Sequence, residues 1–85
     1  MKRKPLSILK RFSDKHRILI RHMEEDMEFY DLCQDYEICA NALRYWTTSD
    51  DPQAGVRIDE YSSLVREIED EIAATLKSWE TRPGD

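Results

Sequence analysis

The chain has 85 residues, of which 40% are hydrophobic and 36% are charged, so it can form one small domain with a modest apolar core. No stretch approaches the roughly 20 apolar residues that span a bilayer, and the apolar run at residues 6–9 is too short for a signal peptide. We therefore expect a cytoplasmic protein.

The net charge of −5 conceals two regions of opposite sign. Residues 1–22 carry eight Lys or Arg side chains and one Asp, which gives a net charge of +7, whereas residues 23–85 have a net charge of −12. This asymmetry predicts a basic amphipathic extension over residues 1–21, an acidic helical part over residues 22–82, and a tail at residues 83–85.

The N-terminal extension combines its positive charge with the apolar residues Leu6, Ile8, Leu9 and Phe12. Such a segment can bind the phosphates of nucleic acid or the surface of an anionic membrane. The residues that would contact an anionic partner are Lys2, Arg3, Lys4, Lys10, Arg11, Lys15, Arg17 and Arg21. Because the acidic part repels a polyanion, we expect these side chains to be solvated or to lie against the acidic part of a second copy.

Apolar residues recur at alternating spacings of three and four over two long segments, which indicates two amphipathic helices. The series are Phe29, Leu32, Tyr36, Cys39, Leu43 and Trp46 in the first segment, and Ile58, Tyr61, Val65, Ile68, Ile72, Thr75 and Trp79 in the second. A loop signal at residues 47–55 separates them. The sequence therefore predicts an all-α fold: an antiparallel two-helix hairpin with helix 1 at about 14–47 and helix 2 at about 54–80. Tyr36 should face Ile68, and Phe29 should face Thr75.

Helix 1 carries a second apolar stripe on the side that faces away from helix 2. Its members are Ile20, Met23, Met27, Tyr30, Ile38 and Tyr45, with Leu9, Phe12, His16 and Leu19 upstream. A helix that is apolar on two faces is normally buried on both. We predict a homodimer in which two hairpins form a four-helix bundle. The predicted partner interface consists of Leu19, Ile20, Met23, Met27, Tyr30, Ile38 and Tyr45.

Two alternatives remain for this stripe. The N-terminal residues can fold back onto their own hairpin, with a short helix at about 5–12 and a new helix start at Ser13-Asp14. The stripe can also serve as a docking surface for another protein, a role that the adaptable side chains of Met23 and Met27 would suit.

The sequence offers little catalytic or metal-binding chemistry. Cys33 and Cys39 lie about 120° apart on a helix, so we expect two buried free thiols. His22 and Glu25 share a helix face in the order His-x-x-Glu, whereas metal-binding bundles use Glu-x-x-His, so we expect His22 to be solvated or packed on Trp79. Nucleotide-binding, zinc-protease and CxxC motifs are absent.

Together these features predict a small non-enzymatic interaction or adaptor protein that acts as a homodimer, with no catalytic site, metal or cofactor. The alternative is a protein that binds an anionic surface, either nucleic acid or membrane, through its basic N-terminal segment.

Overall fold

A computed structural model describes residues 6–80, and all secondary structure in this range is helical. The helices are α1 (Leu6–Arg11), a short 3-10 turn (Ser13–Lys15), α2 (His16–Glu25), α3 (Met27–Thr47) and α4 (Ala54–Glu80). The prediction of an all-α fold is confirmed. No helix within residues 6–80 is long and apolar enough to cross a membrane. Lys2, Arg3, Lys4 and the tail at 83–85 lie outside the described residues.

Among the helices of residues 6–80, α3 and α4 make the most extensive contact with each other. The Tyr36 hydroxyl on α3 donates to Glu69 Oε2 on α4 at 2.7 Å, and the ring of Phe29 meets the edge of Trp79 with centroids 4.9 Å apart. Since the later residue of α3 contacts the earlier residue of α4, the two helices run antiparallel. Glu69 is one residue from the predicted Ile68, and Trp79 is four residues from the predicted Thr75.

The start of α4 follows from turn chemistry in the connector at residues 48–53. The Asp51 carboxylate accepts a hydrogen bond from the Gln53 N–H at 2.8 Å, and the Asp51 carbonyl accepts one from the Ala54 N–H at 2.9 Å. These bonds satisfy backbone donors that have no partner inside the helix. The helix therefore begins at Ala54, as predicted.

The predicted long helix over 14–47 is divided at Asp26, which ends α2 and begins α3. Asp26 is extended, with φ −128° and ψ 107°, and its Oδ1 accepts hydrogen bonds from the N–H groups of Glu28 at 3.0 Å and Phe29 at 3.2 Å. Its own N–H donates to the His22 carbonyl at 2.8 Å. A side-chain cap of this kind stabilises a helix start by about 1 kcal/mol, which favours a break at this residue.

The segment before this break, residues 6–25, folds back onto α3 and α4, and we call it the N-terminal arm. Ser7 contacts Glu37 in the middle of α3, and Lys15 contacts Glu80 at the end of α4, so the arm runs toward the ends of the helices that lie far from the connector. The structure thus adopts the fold-back alternative within one chain. The helix breaks after α1 as that alternative requires, but the predicted helix start at Ser13-Asp14 is wrong: a 3-10 turn occupies Ser13–Lys15 with no side-chain cap, and α2 begins at His16.

The arm determines where the core lies. One cluster holds Ile8, Leu9, Leu19 and Met23 from the arm together with Phe29, Cys33, Tyr36, Ile72 and Leu76 from α3 and α4. Between residues 37 and 68 the only buried residue is Ala54. Leu43 and Trp46, which the heptad pattern predicts to be core residues, are half-buried.

Candidate functional site

The seven residues of the predicted partner interface fall into three groups. Leu19 and Met23 are buried in the core of the chain itself, with 0% and 7% of their surface exposed. Ile20 and Tyr30 are half-buried and pack against that core. The others, Met27, Ile38 and Tyr45, remain exposed. Folding back of the arm therefore packs its own stripe residues into the core, and Met27, Ile38 and Tyr45 on α3 stay exposed.

Met27, Ile38 and Tyr45 form what we call the α3 outer face. They are spaced by eleven and seven residues, and both spacings return a side chain to the same side of an α-helix. Their exposed fractions are 61%, 63% and 63%. Leu6, Val56 and Leu64 are also exposed, at 60%, 59% and 42%, but lie outside α3. Exposed apolar side chains that share one helix face suit a binding surface.

Polar residues on this side of α3 form hydrogen bonds within the helix. The Gln34 Nε2 donates to the Tyr30 hydroxyl at 2.6 Å, and Arg44 Nη1 donates to Asn41 Oδ1 at 3.3 Å. The ring of Tyr45 rests edge-to-face on Trp46, with centroids 5.1 Å apart. These contacts fix side chains along the α3 outer face before any partner arrives, which lowers the entropic cost of binding.

The basic residues of the arm are largely engaged by carboxylates of the same chain. Arg11 Nε lies 3.1 Å from Glu69 Oε2, and Lys15 Nζ contacts Glu80 Oε1. Arg21 pairs with Glu25 at 3.5 Å along α2. Lys10 and Arg17 are exposed and form no ion pair within residues 6–80. The predicted contact between basic and acidic regions thus occurs inside a single chain.

Glu69 joins three helices through one oxygen atom. Its Oε2 accepts hydrogen bonds from Arg11 on α1 and from the Tyr36 hydroxyl on α3. Burial and this hydrogen bond raise the pKa of Tyr36 above its ordinary value. At the start of α1 the Ser7 N–H donates to Glu37 Oε2 at 2.8 Å. Through Glu69, the Arg11 guanidinium and the Tyr36 hydroxyl thus connect the arm to α4 and α3 at the same level.

The partners of the arm, Glu37, Glu69 and Glu80, were not predicted from the sequence, because acidic residues at these spacings resemble an ordinary solvated helix surface. The charge asymmetry between residues 1–22 and the rest was the signal available. It indicates that the two regions attract each other but does not say whether they belong to the same chain or to two copies.

The cysteines and His22 occupy structural positions. Cys33 is fully buried, and burial raises the pKa of its thiol to about 12. Cys39 is half-buried, and burial together with the Asp35 carboxylate raises its pKa. Both thiols are free. His22 stacks on Trp79 with ring centroids 3.4 Å apart, which confirms one of its two expected placements. Within residues 6–80 no group of three or more His, Cys, Asp or Glu side chains could hold a metal ion.

Scans of the chain against protein-family models, curated proteins and solved structures found no match.

Proposed function

We propose that this chain is a non-enzymatic cytoplasmic interaction protein that associates with a second copy through the α3 outer face. The two α3–α4 hairpins then complete a four-helix bundle with a twofold axis. The observation that carries the proposal is the row of exposed side chains at Met27, Ile38 and Tyr45, which persists after the arm has folded back.

The energetics favour a dimer that dissociates on dilution. Burying the exposed parts of these three side chains stabilises the complex by about 1–2 kcal/mol each, and a symmetric interface counts every one twice. Loss of translational and rotational freedom opposes association by about 4–15 kcal/mol. At the favourable ends of both ranges the net free energy is about −8 kcal/mol, which corresponds to a dissociation constant of about 1 μM. We therefore expect association only at micromolar or higher concentrations.

Light scattering over a range of protein concentrations tests the proposal. The mass of the wild-type protein should rise from that of a monomer to that of a dimer between micromolar and hundreds of micromolar. Ile38→Asp should weaken association at least about a hundredfold, because a charge replaces an apolar contact twice per dimer. Val56→Asp is the matched control, since Val56 is 59% exposed but lies on α4. A wild-type protein that stays monomeric at hundreds of micromolar contradicts the proposal.

A second candidate is binding to an anionic surface through the arm, which Lys10 and Arg17 favour because they are exposed and unpaired within residues 6–80. Two observations weigh against it. Arg11, Lys15 and Arg21 are already paired with carboxylates. A groove of about 400 Å³ between α3 and α4 is lined by Asp26, Glu28, Asp31, Asp35 and Glu71, with no basic residue in its lining.

Titration of labelled nucleic acid and of anionic vesicles at two salt concentrations separates the candidates. Electrostatic binding weakens steeply as the salt concentration rises. Replacing Lys10 and Arg17 with Glu should weaken such binding and leave self-association intact. No binding at low salt would eliminate the second candidate.

A further inference from the structure

We propose that the N-terminal arms are exchanged in the dimer, so that the arm of each copy occupies the face of the partner's α3–α4 pair that it covers in a single chain. This inference rests on the proposed self-association and adds how the two copies hold each other. The occupant of the face is thus a second copy of this chain.

The receiving face is suited to a cationic amphipathic helix. Its carboxylates, Glu37, Glu69 and Glu80, bind the start, middle and end of the segment 7–15. Between them lies an apolar floor that includes Cys33, Tyr36, Ile72 and Leu76. The arm presents Arg11 and Lys15 to those carboxylates and buries four apolar side chains on the floor. The arm of a second copy carries the same groups and fits the same face.

The hinge between the arm and its own α3–α4 pair is one residue long. Asp26 alone departs from helical conformation between α2 and α3. The apolar stripe passes through it at helical spacing, from Met23 to Met27 and Tyr30. If Asp26 adopts helical dihedral angles, α2 and α3 merge into one helix over residues 16–47, and the arm points away from its own chain.

Short hinges of this kind favour exchange of identical segments, because each interaction that breaks within a chain forms again between two chains. In the closed form the arm covers its own α3–α4 pair, and in the exchanged form it covers that of the partner. Every ion pair and apolar contact between the arm and an α3–α4 pair is the same in both forms. The balance between the two forms therefore depends on the hinge. The closed form has the Asp26 cap bonds to Glu28 and Phe29, and the merged form has the helical backbone bonds that replace them.

The contact of Lys15 with Glu80 allows a direct test in the unmodified full chain. Unlabelled and ¹⁵N-labelled proteins are unfolded together in equal amounts, refolded at hundreds of micromolar, and treated with a carbodiimide, which joins an ammonium to a carboxylate in contact with it. Mass spectrometry then reports whether Lys15 and Glu80 in each linked peptide pair come from one isotope or from two. Exchange predicts that about half of the linked pairs are mixed, as random pairing of two copies requires.

Two other results have distinct meanings. A dimeric mass with only unmixed Lys15–Glu80 links overturns exchange while leaving self-association in place. A monomeric mass overturns both proposals.

Variants at the hinge test the merged helix. Met27→Pro should hold the break, because proline suits the first position of a helix and the residue before it prefers the extended conformation that Asp26 has. Met27→Ala removes the same side chain and leaves the backbone free to merge. Because both variants remove an apolar side chain of the α3 outer face, they are compared at a concentration at which light scattering shows Met27→Ala to be dimeric. There the mixed fraction should be at least about tenfold lower in Met27→Pro than in Met27→Ala, and equal fractions would overturn the merged helix.

Asp26→Ala acts in the opposite direction and covers the case in which Met27→Pro fails to fold. It removes the cap and introduces the residue with the highest helix propensity. We expect dimerisation to be about tenfold tighter, with mixed links retained. Weaker dimerisation of a folded Asp26→Ala protein would overturn the role of the hinge.

Discussion

The two ends of the α3–α4 pair differ in how far they exclude water. At the covered end, residues 27–36 of α3 and 69–80 of α4 lie against the arm, and five of these residues are buried. At the bare end, residues 37–47 and 54–68 have the same spacing of apolar side chains, yet only Ala54 is buried. The difference shows that a heptad seam determines which residues face the partner helix but does not by itself bury them. Burial of these residues needs a third layer of structure, which the arm provides at the covered end.

The size of the molecule explains why. Two helices in contact shield a narrow strip between them, and water reaches the strip from both sides along its length. The arm closes one of these sides at the covered end. At the bare end both sides stay open, which leaves Leu43 and Trp46 half-buried and Ile38, Tyr45, Val56 and Leu64 exposed.

The largest contrast should appear when one apolar side chain is shortened at each end. Ile72→Ala removes a fully buried side chain and should lower the free energy of unfolding by about 3–4 kcal/mol. Leu43→Ala, at a half-buried position of the bare end, should lower it by about 1 kcal/mol. Urea unfolding followed by circular dichroism measures both values. Equal losses would show that the two ends are packed alike.

Hydrogen exchange should show the same division without a mutation. Backbone amides of residues 29–36 and 72–79 open only when the arm and the core separate, whereas those of residues 40–46 and 56–64 open by local fraying of two helices. We expect exchange at the bare end to be at least about a hundredfold faster. Residue-resolved NMR measures these exchange rates. Uniform protection along α3 and α4 would show that the covered and bare ends are equally stable.

Between pH 8 and pH 10, the change in the free energy of unfolding should come mainly from Cys33 at the covered end. Burial raises the pKa of Cys33 from 9.0 to about 12, so the folded state holds this proton more tightly than the unfolded state. The resulting stabilisation is complete below pH 9 and is lost as the pH rises toward 12. Between pH 8 and pH 10 the free energy of unfolding should fall by about 1 kcal/mol. Urea unfolding at the two pH values measures the fall.

Variants of the two cysteines assign this effect. Cys33→Ala should remove most of the decline between pH 8 and pH 10, whereas Cys39→Ala, at a half-buried thiol of the bare end, should retain it. Above pH 10 the raised pKa of Tyr36 adds to the loss of stability. A Cys33→Ala protein with an unchanged decline would place the titrating group elsewhere.

The smallest effect concerns the ion pairs that hold the arm. Glu69→Gln weakens the hydrogen bonds from Arg11 and Tyr36 and should lower the free energy of unfolding by about 1 kcal/mol. Glu67→Gln is the matched control, because Glu67 is exposed on the same helix and has no ion pair within residues 6–80. Thermal unfolding compares the two variants. A similar shift in both would indicate a general charge effect.

Much of the helical content was predictable because its signals are local. Turn residues at 47–55 separate α3 from α4, and α4 begins at Ala54, at the end of that predicted loop. The break after Phe12 was predictable as an alternative for the same reason. The contact of His22 with Trp79 was predicted as one of two placements, since the antiparallel register brings the start of one helix to the end of the other.

The break at Asp26 was not predicted, and the reason is physical. Apolar periodicity continues through it from Met23 to Met27, and Glu24 and Glu25 fall at the end of α2, where basic residues are favoured instead. A cap is the only local sign of the break. The choice between a folded-back arm and a docked second copy was also beyond the sequence, because both bury the same side chains with the same charges.

The return of the arm onto α4 has a consequence for synthesis. Lys15 contacts Glu80 and Arg11 contacts Glu69, so these ion pairs join residues 65 and 58 positions apart. A nascent chain presents Ile8, Leu9 and Leu19 long before the ribosome releases Ile72 and Leu76, which bury them. Until then the growing polypeptide exposes a hydrophobic, positively charged segment. Chaperones that bind such segments can do so most readily in that interval.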